Sequence, residues 1–417
     1  MKVSANMKVS TNIISKIDEA IRTLEARPDQ PDRAETLSML RAARKQAERA
    51  IGTPLGTTSA VLGSDELALS LAMSAMSGAA PLTPDAAPEQ LVSPRQYADL
   101  DPGWLQSFFH YLRSKRLPFP THDASVPAGQ PGSGVLHVAN DITLALAGDW
   151  GTGNTSSRAI AQRIASLEPR PNYTIHLGDV YYSGTPDEEQ ERFVALWPSG
   201  ADGAFALNSN HEMYSGGAGY FNVALESPTF SLQRGLSYFA LENAGWIVFG
   251  LDSAYGSDAY LYQKGELNPV QIAFLAVHGE RARAAHKRVV VLTHHQPIEL
   301  DGTLVTPLCD QITGAVGVKE LYWYWGHIHG AAVLEPKIVH GVTIHGRCIG
   351  HGGVPYEPLR LTPALTWAED RLAGDPEEKR RALNGFAVVQ LEGATIRESF
   401  LGEDGQLRYT TATAAAA

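Results

Sequence analysis

Between residues 136 and 352, short apolar runs repeatedly end in glycine and an ionisable side chain. These runs read ITLALAGD, YTIHLGD, WIVFGLD, RVVVLTHH and YWYWGHIHG, and helical stretches alternate with them. Such runs are typical of buried strands in a mixed or parallel sheet with helices on its faces. Sites in open α/β sheets form where the strands end. The pattern therefore predicts an α/β domain whose site lies at its strand ends.

The overall composition narrows the class of protein. A chain of 417 residues, with 44% hydrophobic and 19% charged residues, is long enough for one large globular domain and a smaller one. The formal net charge of −11 argues against nucleic acid as a partner, because phosphate backbones bind to basic surfaces. Since no apolar run has the length of a membrane span, we expect no membrane partner either.

The compartment that we expect is the cytoplasm. The N-terminal stretch MKVSANMKVSTNIISKIDEAI is basic, but it lacks the apolar core of a secretion signal. The two cysteines of the chain, Cys309 and Cys348, provide neither a disulfide framework nor zinc-finger spacing. Such sparse cysteine usage is typical of a reducing compartment.

Periodicity and composition divide the chain into four regions. Residues 1–76 contain a predicted helical hairpin, and residues 77–135 a linker and an amphipathic helix. Residues 136–405 form the predicted catalytic domain, and residues 406–417 a flexible tail. The apolar stripes of the hairpin need burial against the catalytic domain or a second chain. A homo-oligomer formed through the N-terminal helices is therefore one expectation.

The loop LALAGDWGTGN, residues 144–154, has the strand, turn and helix order of a phosphate-binding loop. Its glycines do not have the matching spacing, because G-x-G-x-x-G is absent and no Lys-Ser or Lys-Thr pair follows them. The remaining interpretation is that the tight turn presents Asp149.

Five strand ends carry side chains of the types that bind metal ions. Each motif alone is more often a turn residue or a loop contact. Burying all of these carboxylates and imidazoles together would cost several kcal/mol unless a cation compensated them. The five strand ends carry Asp149, Asp179 with Tyr182, Asn210 with His211, His294 with His295, and His327 with His329.

The order of these motifs, GD…GD…NHE…H…GHxH, resembles that of the calcineurin-like metallophosphoesterases. Within that family, GDWG, GDVYY and GHIH are similar to the purple acid phosphatase variant. The resemblance covers roughly residues 140 to 400. It implies a two-sheet α/β sandwich flanked by helices, with the N-terminal helical region as an appendage. It also implies hydrolysis of phosphate monoesters or diesters by a hydroxide held between two metal ions.

The resemblance also assigns roles to particular residues. His211, directly after a ligand, would supply a proton to the leaving alkoxide or stabilise its charge. Tyr182 stands where the purple variant has its tyrosinate. The remaining ligands would be Asp149 and His329 on the first metal, Asp179 as the bridge, and Asn210, His294 and His327 on the second metal.

Two positions depart from the family pattern. Ser209 replaces the glycine of GNH, so the backbone there must adopt a conformation that serine tolerates. Gly151 stands where most of the family has a histidine, so the first metal needs another donor. Tyr182 is that donor in our prediction, with Tyr181 equally eligible. A phenolate favours Fe(III) at the first position, and the second position suits Fe(II), Mn(II) or Zn(II).

Three residues are candidates for contacts with the substrate. Counting from the end of VVVLT favours His294 as the metal ligand, whereas counting back from the following proline favours His295. We assign His294 to the metal and His295 to the substrate. The segment GRCIGHGGVPYEP, residues 346–358, adds His351 and Arg347 as substrate contacts, unless it is a tight structural turn.

The sequence thus predicts a metal-dependent phosphoric ester hydrolase that acts on a small phosphorylated substrate. Two alternatives belong to other classes. One is an inert scaffold that uses the same fold to bind partners, although degenerate scaffolds lose ligands and this chain retains them. The other is a metal-dependent nuclease, which the acidic net charge disfavours.

Overall fold

The computed structural model describes residues 114–123, 125–374 and 380–413, with isolated positions 18, 21, 22, 25, 37, 41, 44, 107, 110 and 111. Most of the predicted N-terminal hairpin and the last four residues of the predicted tail lie outside the described residues. The seven described positions between 18 and 44 are helical. Two ion pairs join them, with N–O distances of 2.8 Å for Arg41 and Glu25 and 2.6 Å for Arg44 and Asp18.

The larger of two β-sheets has nine strands in the order β1-β5-β6-β7-β8-β11-β9-β12, with β10 paired to β11. Strands β6, β7, β8 and β11 are mutually parallel, so their carboxyl ends lie at one edge. The strands are β1 (Val135–His137), β5 (Phe239–Glu242), β6 (Trp246–Gly250), β7 (Arg288–Thr293), β8 (Glu320–Trp325), β9 (Ala331–Leu334), β10 (Lys337–Val339), β11 (Val342–Ile349) and β12 (Leu365–Ala368).

The second sheet has six strands in the order β15-β14-β13-β2-β3-β4. Strands β2, β3 and β4 are parallel neighbours, whereas β13, β14 and β15 form an antiparallel extension. The strands are β2 (Ile142–Ala147), β3 (Tyr173–His176), β4 (Gly203–Ala206), β13 (Gly385–Glu392), β14 (Thr395–Gly402) and β15 (Leu407–Thr413).

The described helices are few, and polar caps begin several of them. Asn154 caps the first by accepting a hydrogen bond from the Ser157 N–H, and Asn268 caps the longest in the same way. No helix in the described part of the chain is long and apolar enough to cross a membrane. The α-helices are α1 (Thr155–Ala165), α2 (Pro186–Glu188), α3 (Asn210–Met213), α4 (Pro269–Ala284) and α5 (Pro307–Val316); a π-helical stretch, Glu189–Val194, follows α2.

The two sheets pack face to face, and helices cover their outer faces. The alternation of side chains along β2 shows the arrangement, because Leu144 and Leu146 lie in the core between the sheets. The intervening Ala145 and Ala147 belong to a separate core that includes Ile160 of α1. Burying each leucine contributes about 1.5–3 kcal/mol. The predicted α/β two-sheet sandwich is thus confirmed.

Glycines let the two sheets meet at their strand ends. Gly148 follows β2 and Gly326 follows β8, and they approach each other closely. A Cβ atom added to Gly148 would lie 3.0 Å from both the Gly326 Cα and the Ile349 carbonyl oxygen. Any larger side chain would therefore push apart the two edges that carry the predicted ligands.

Arg347 occupies a position that does not suit a substrate contact. It lies on β11 with a relative exposure of 5%, and its guanidinium forms two hydrogen bonds of 2.8 and 2.9 Å with the Glu398 carboxylate. The Tyr324 hydroxyl donates a third hydrogen bond to Glu398. The expectation that Arg347 binds substrate is therefore corrected: Arg347 is the buried partner of a carboxylate on the facing sheet.

We expect Arg347→Met to lower the free energy of unfolding by about 3–5 kcal/mol, because it leaves the Glu398 carboxylate buried without its partner. The double variant Arg347→Met/Glu398→Leu removes both charges and should recover most of that loss. Denaturant unfolding of the three proteins measures both effects. A single variant with wild-type stability and a raised KM would instead return Arg347 to the substrate site.

His176, at the end of β3, is a buried imidazole in an aromatic cluster. Its ring lies against those of Trp150, Phe193 and Trp197. Neither ring nitrogen has a hydrogen-bond partner among the described residues. Burial lowers the pKa of His176 to about 3, since nothing there solvates the charged form. The folded protein therefore holds this histidine neutral.

This burial predicts a pH dependence of stability. Between pH 6.5 and about 3 the unfolded chain binds a proton at His176 that the folded chain does not bind, so stability falls as the pH falls through that window. The contribution is about 1.4 kcal/mol per pH unit. Unfolding free energies measured from pH 6.5 to 4.5 should have a slope shallower by about one proton in His176→Phe.

Candidate metal centre

Six of the seven predicted ligands are aspartate, asparagine and histidine residues, and these six come from both sheets. Asp149, Asp179 and Asn210 follow β2, β3 and β4 of the six-stranded sheet, whereas His294, His327 and His329 follow β7 and β8 of the nine-stranded sheet. All except His327 and His329 are buried to 2% exposure or less. The centre therefore lies where the carboxyl ends of the two sets of parallel strands meet.

The backbone is strained where it turns toward this centre. Asp149, Asp179 and His327 have φ angles of 56°, 79° and 64°, in the left-handed region that costs a non-glycine residue roughly 1–2 kcal/mol. The strained turn at His327 aims its N–H at Asp149 Oδ2, 2.8 Å away. This bond joins the two sheets and leaves the second Asp149 oxygen, Oδ1, facing the centre.

One cluster of oxygen and nitrogen atoms surrounds the Tyr181 hydroxyl. That hydroxyl lies 2.7 Å from Asp179 Oδ2, 3.2 Å from Asp149 Oδ1 and 3.2 Å from His329 Nε2. His329 Nε2 is 3.5 Å from Asp149 Oδ1. Burial and the neighbouring Asp179 carboxylate raise the pKa of Asp149 well above its usual value. Oxygen atoms of the two buried carboxylates lie within 4.8 Å of each other. Such a pair needs a proton or a cation between its members.

A second cluster surrounds the Asn210 carbonyl oxygen. Asn210 Oδ1 lies 2.8 Å from His294 Nε2 and 3.1 Å from His327 Nδ1, and the two nitrogens are 3.2 Å apart. The Asn210 amide nitrogen points away and donates to the Tyr214 hydroxyl at 2.9 Å. The amide orientation thus turns its oxygen, an acceptor, toward the two imidazoles.

The hydrogen bond made by His294 determines which of its ring nitrogens carries the proton. Its Nδ1–H donates to the Leu177 carbonyl oxygen at 2.9 Å, and burial lowers the pKa of the ring to about 3. His294 is therefore neutral, and its Nε2 carries a lone pair that faces the lone pairs of Asn210 Oδ1. These two acceptor atoms face each other without a hydrogen between them, as donor atoms around a metal ion do.

Asp179 lies between the two clusters. Its Oδ1 is 3.2 Å from His294 Nε2 in the second cluster, whereas its Oδ2 is 2.7 Å from the Tyr181 hydroxyl in the first. A carboxylate whose two oxygens face separate donor clusters has the position of a bridge between two metal ions. The donor set of carboxylate, amide, imidazole and phenol atoms suits such ions.

Tyr181, and not Tyr182, has its hydroxyl inside the first cluster. The reason is a short continuation of the β-ladder, in which Gly151 pairs with Val180 and hydrogen bonds run from Gly151 N to Asp179 O and from Tyr181 N to Gly151 O. Side chains two residues apart in an extended segment share a side, so Tyr181 lies on the side of Asp179. The prediction for Tyr182 is corrected in favour of the alternative tyrosine.

The Tyr182 side chain lies against another group. Its ring centroid is 5.7 Å from the Arg192 guanidinium, and that guanidinium also bonds the Tyr181 carbonyl. Gly151 has no room for the histidine that most of the family carries, because an added Cβ would lie 2.6 Å from the Asp179 carbonyl oxygen. The first cluster therefore contains the Tyr181 hydroxyl and no side chain from position 151.

Ser209 holds several side chains of the site together. Its backbone is extended, with φ −138° and ψ 178°, so a serine is accommodated there without strain. Its hydroxyl accepts a hydrogen bond from the His211 N–H at 3.0 Å and contacts the carboxylates of Asp179 and Glu212. Sequence reasoning missed Glu212; the E of the NHE motif was the available signal.

His211 is oriented by the backbone of the tyrosine pair. Its Nδ1–H donates to the Tyr182 carbonyl oxygen at 2.7 Å, which leaves Nε2 directed toward Asp179 Oδ2, 3.7 Å away. The ring lies between those of Tyr181 and Tyr214, with centroid distances of 4.5 and 4.8 Å. At 7% exposure, His211 borders the centre without being one of its converging donors.

His295 lies beside the second cluster, and both of its nitrogens have partners. Its Nε2–H donates to the Tyr262 carbonyl oxygen at 2.7 Å, and its Nδ1 accepts from the Ser253 hydroxyl at 2.9 Å. Atoms of His294, His295 and His327 nevertheless lie within 4.8 Å of one another. The position of His295 therefore suits holding the Tyr262 loop better than the predicted contact with a substrate.

His351 is buried to 2% exposure in the glycine-rich segment after β11. Its Nδ1 has no partner among the described residues, and burial lowers the pKa of the ring to about 3. Its ring packs edge-on against Tyr356. A side chain this deeply buried does not face solvent, where a substrate would bind. His351 therefore fits the alternative of a tight structural turn better than the predicted substrate contact.

Comparison with known proteins finds one family model that matches this part of the chain. Residues 142–331, a little under half of the chain, match the family model described as calcineurin-like phosphoesterase. That span begins at β2 and includes all six predicted ligands of the two donor clusters. No curated protein matches the chain.

Several solved structures are similar to the chain at low sequence identity. GAP50, the anchor in the inner membrane complex of Plasmodium, is 11% identical with a TM-score of 0.48, covering 66% of this chain and 88% of that one. A dimetal phosphatase from Danio rerio is 13% identical with a TM-score of 0.41, covering 65% and 98%. Vacuolar Protein Sorting 29 from Cryptosporidium parvum is 13% identical with a TM-score of 0.33, covering 66% and 100%.

Proposed function

Because residues 142–331 match the family model described as calcineurin-like phosphoesterase, we propose that the protein hydrolyses small phosphate esters with the help of two metal ions. The observation that carries this proposal is the position of Asp179, whose two carboxylate oxygens face two separate clusters of donor atoms. Two metal ions held by these residues would supply Lewis acidity to the phosphoryl oxygens and would activate water.

The residues of this chain divide into two ligand sets in this proposal. Each set includes one oxygen of Asp179, and the converging lone pairs described above support the division. The first metal would be held by Asp149, His329 and Tyr181, and the second by Asn210, His294 and His327.

His211 is the residue to which we assign proton transfer. With Nδ1–H bonded to the Tyr182 carbonyl, its Nε2 is the nitrogen that faces the centre. A proton held at Nε2 is available to the leaving alkoxide, whose expulsion is otherwise the difficult step for a poor leaving group. General-acid assistance of this kind contributes ~10²–10⁴ in rate.

The phenol of Tyr181 favours a particular metal ion at the first metal site. Burial and the carboxylates of Asp149 and Asp179 raise the pKa of Tyr181 well above its ordinary value. A phenolate at this position therefore requires a strongly Lewis-acidic cation, which favours Fe(III). The second donor set, with an amide and two imidazoles, suits Fe(II), Mn(II) or Zn(II).

Ligand variants and an acid variant should fail in different ways. Asp179→Asn and Asn210→Ala each remove a donor, so we expect metal content to fall and hydrolysis to be nearly abolished. His211→Ala should retain both metals and lose ~10²–10⁴ in kcat, most severely for poor leaving groups. Elemental analysis and rates on aryl and alkyl monoesters and diesters of graded leaving-group pKa measure these effects. Equal loss by His211→Ala across the series would contradict its role.

The two tyrosines provide a matched pair for testing the first metal. If Tyr181 binds Fe(III) as phenolate, the oxidised iron-loaded protein should have a visible charge-transfer band. Tyr181→Phe should lose that band and retain less iron, because Gly151 offers no replacement donor. Tyr182→Phe changes the neighbouring ring and should keep the band. Absorption spectra of the three iron-loaded proteins decide between them, and a band that disappears only in Tyr182→Phe would reverse the assignment.

A further inference from the structure

The described residues between 107 and 119, which we call the strap, precede the family-matched region by more than twenty residues. They contact three loops that are far apart in the sequence. We propose that the strap is part of the catalytic site, because two of these loops position His211 and Asn210 at the metal centre and the third contacts His295 beside it. This inference rests on the proposed function, and it assigns Ser107, Tyr111 and Arg116 as positioning residues.

The first contact of the strap supports His211. The Ser107 hydroxyl donates a 2.8 Å hydrogen bond to the Tyr182 carbonyl oxygen, and the same oxygen accepts the Nδ1–H of His211 at 2.7 Å. Ser107 is buried to 5% exposure. A carbonyl oxygen has two lone pairs, so the two donors fix it from two directions. Ser107 therefore fixes the position of the carbonyl oxygen that accepts from His211. That oxygen in turn fixes the orientation of the His211 ring and the direction of its Nε2.

The second contact supports Asn210. The Tyr111 ring packs edge-on against Tyr214 and Tyr262, with centroid distances of 6.5 and 5.7 Å. The Tyr214 hydroxyl accepts the amide N–H of Asn210 at 2.9 Å and that of Gln263 at 3.2 Å. This hydroxyl decides which way the Asn210 amide faces, and only one of its two orientations directs oxygen toward the imidazoles. Tyr111 thus packs against the group that orients a metal ligand.

The third contact holds a strained loop beside His295. Leu261 and Tyr262 have φ angles of 49° and 53°, two consecutive non-glycine residues in the left-handed region. Arg116 donates to the Tyr262 hydroxyl at 3.3 Å and to the Tyr255 carbonyl at 3.1 Å, and its guanidinium lies 4.9 Å from the Tyr262 ring centroid. The strap therefore stabilises the conformation in which the Tyr262 carbonyl accepts from His295.

The backbone of the strap is tied down as well. Leu117 N donates to the Gly216 carbonyl at 3.0 Å, and the Tyr255 hydroxyl donates to the Leu117 carbonyl at 2.6 Å. A Cβ added to Gly216 would lie 2.1 Å from the Lys115 carbonyl oxygen, so a glycine is needed where strap and loop cross. The strap is held independently of the three side chains, which makes single substitutions informative.

The first arm of the test is a double-mutant cycle between Ser107 and His211. We expect Ser107→Ala to keep both metals and to lower kcat about tenfold for poor leaving groups, a fraction of the ~10²–10⁴ that a general acid contributes. The loss should be smaller for good leaving groups. In the His211→Ala background, Ser107→Ala should have no further effect, because the two residues act as one unit. Ser125→Ala, which removes an exposed serine bonded to Asp123, is the control.

The second arm measures metal binding without reference to turnover. Tyr111→Leu should raise the dissociation constant of the second metal about tenfold, the order of effect seen when a partner of a metal ligand is removed. Tyr111→Phe keeps the ring and should bind metal as the wild type does. Equilibrium dialysis with Mn(II) or Zn(II), followed by elemental analysis, gives the constants. Circular dichroism shows whether each variant folds. If Tyr111→Leu does not fold, the double-mutant cycle with Ser107→Ala alone tests the role of the strap.

The outcomes separate this inference from the proposed function. Losses that multiply in the Ser107→Ala/His211→Ala double variant, together with unchanged metal affinity in Tyr111→Leu, would overturn the role of the strap while hydrolysis by the wild type stands. A wild type that cleaves none of the esters, with weakened metal binding in Tyr111→Leu, would instead remove the proposed function and retain the link from strap to metal.

Discussion

The architecture depends on one electrostatic constraint: buried carboxylate, amide and imidazole atoms from two sheets converge at the strand ends. The neutral imidazole of His294 faces the carbonyl oxygen of Asn210 and a carboxylate oxygen of Asp179. A cation bound there would compensate for the burial of these polar atoms. The positive φ angles at the strand ends and the glycines between the sheet edges then have a common explanation, since both bring donors closer than side chains would otherwise permit.

Much of the fold was predictable because its signals are local. The strands that lead to the site are short apolar runs, and polar or ionisable residues follow within a few positions, so fold class and ligand order needed no knowledge of contacts. The assignment of strands to two separate sheets was not predictable in this way. The run ITLALAGD reads the same whether β13 or β7 lies beside it, and only the complete set of pairings puts β2 next to β13 and β3.

The errors in the predicted site have long-range causes. Tyr181 and Tyr182 are adjacent and chemically identical, and pairing of Val180 with Gly151 decides which hydroxyl enters the cluster. In the sequence, Arg347 resembles a substrate-binding cation. In the structure its guanidinium is hydrogen-bonded to Glu398, which lies fifty-one residues later in the chain. The contact of Ser107 with the Tyr182 carbonyl crosses seventy-five residues. Spacing within one motif carries no information about partners at such separations.

The contribution of ligands by both sheets has a mechanical consequence. Any ion bound at this centre is also a cross-link between two layers that are otherwise held at this edge mainly by packing and a few hydrogen bonds. Its binding free energy adds to the stability of the folded state, by RT ln(1 + [M]/Kd) for each ion. The concentration of free metal would then determine how strongly the two sheets are held together at this edge. On loss of metal, the two sheets would first separate at the strand ends.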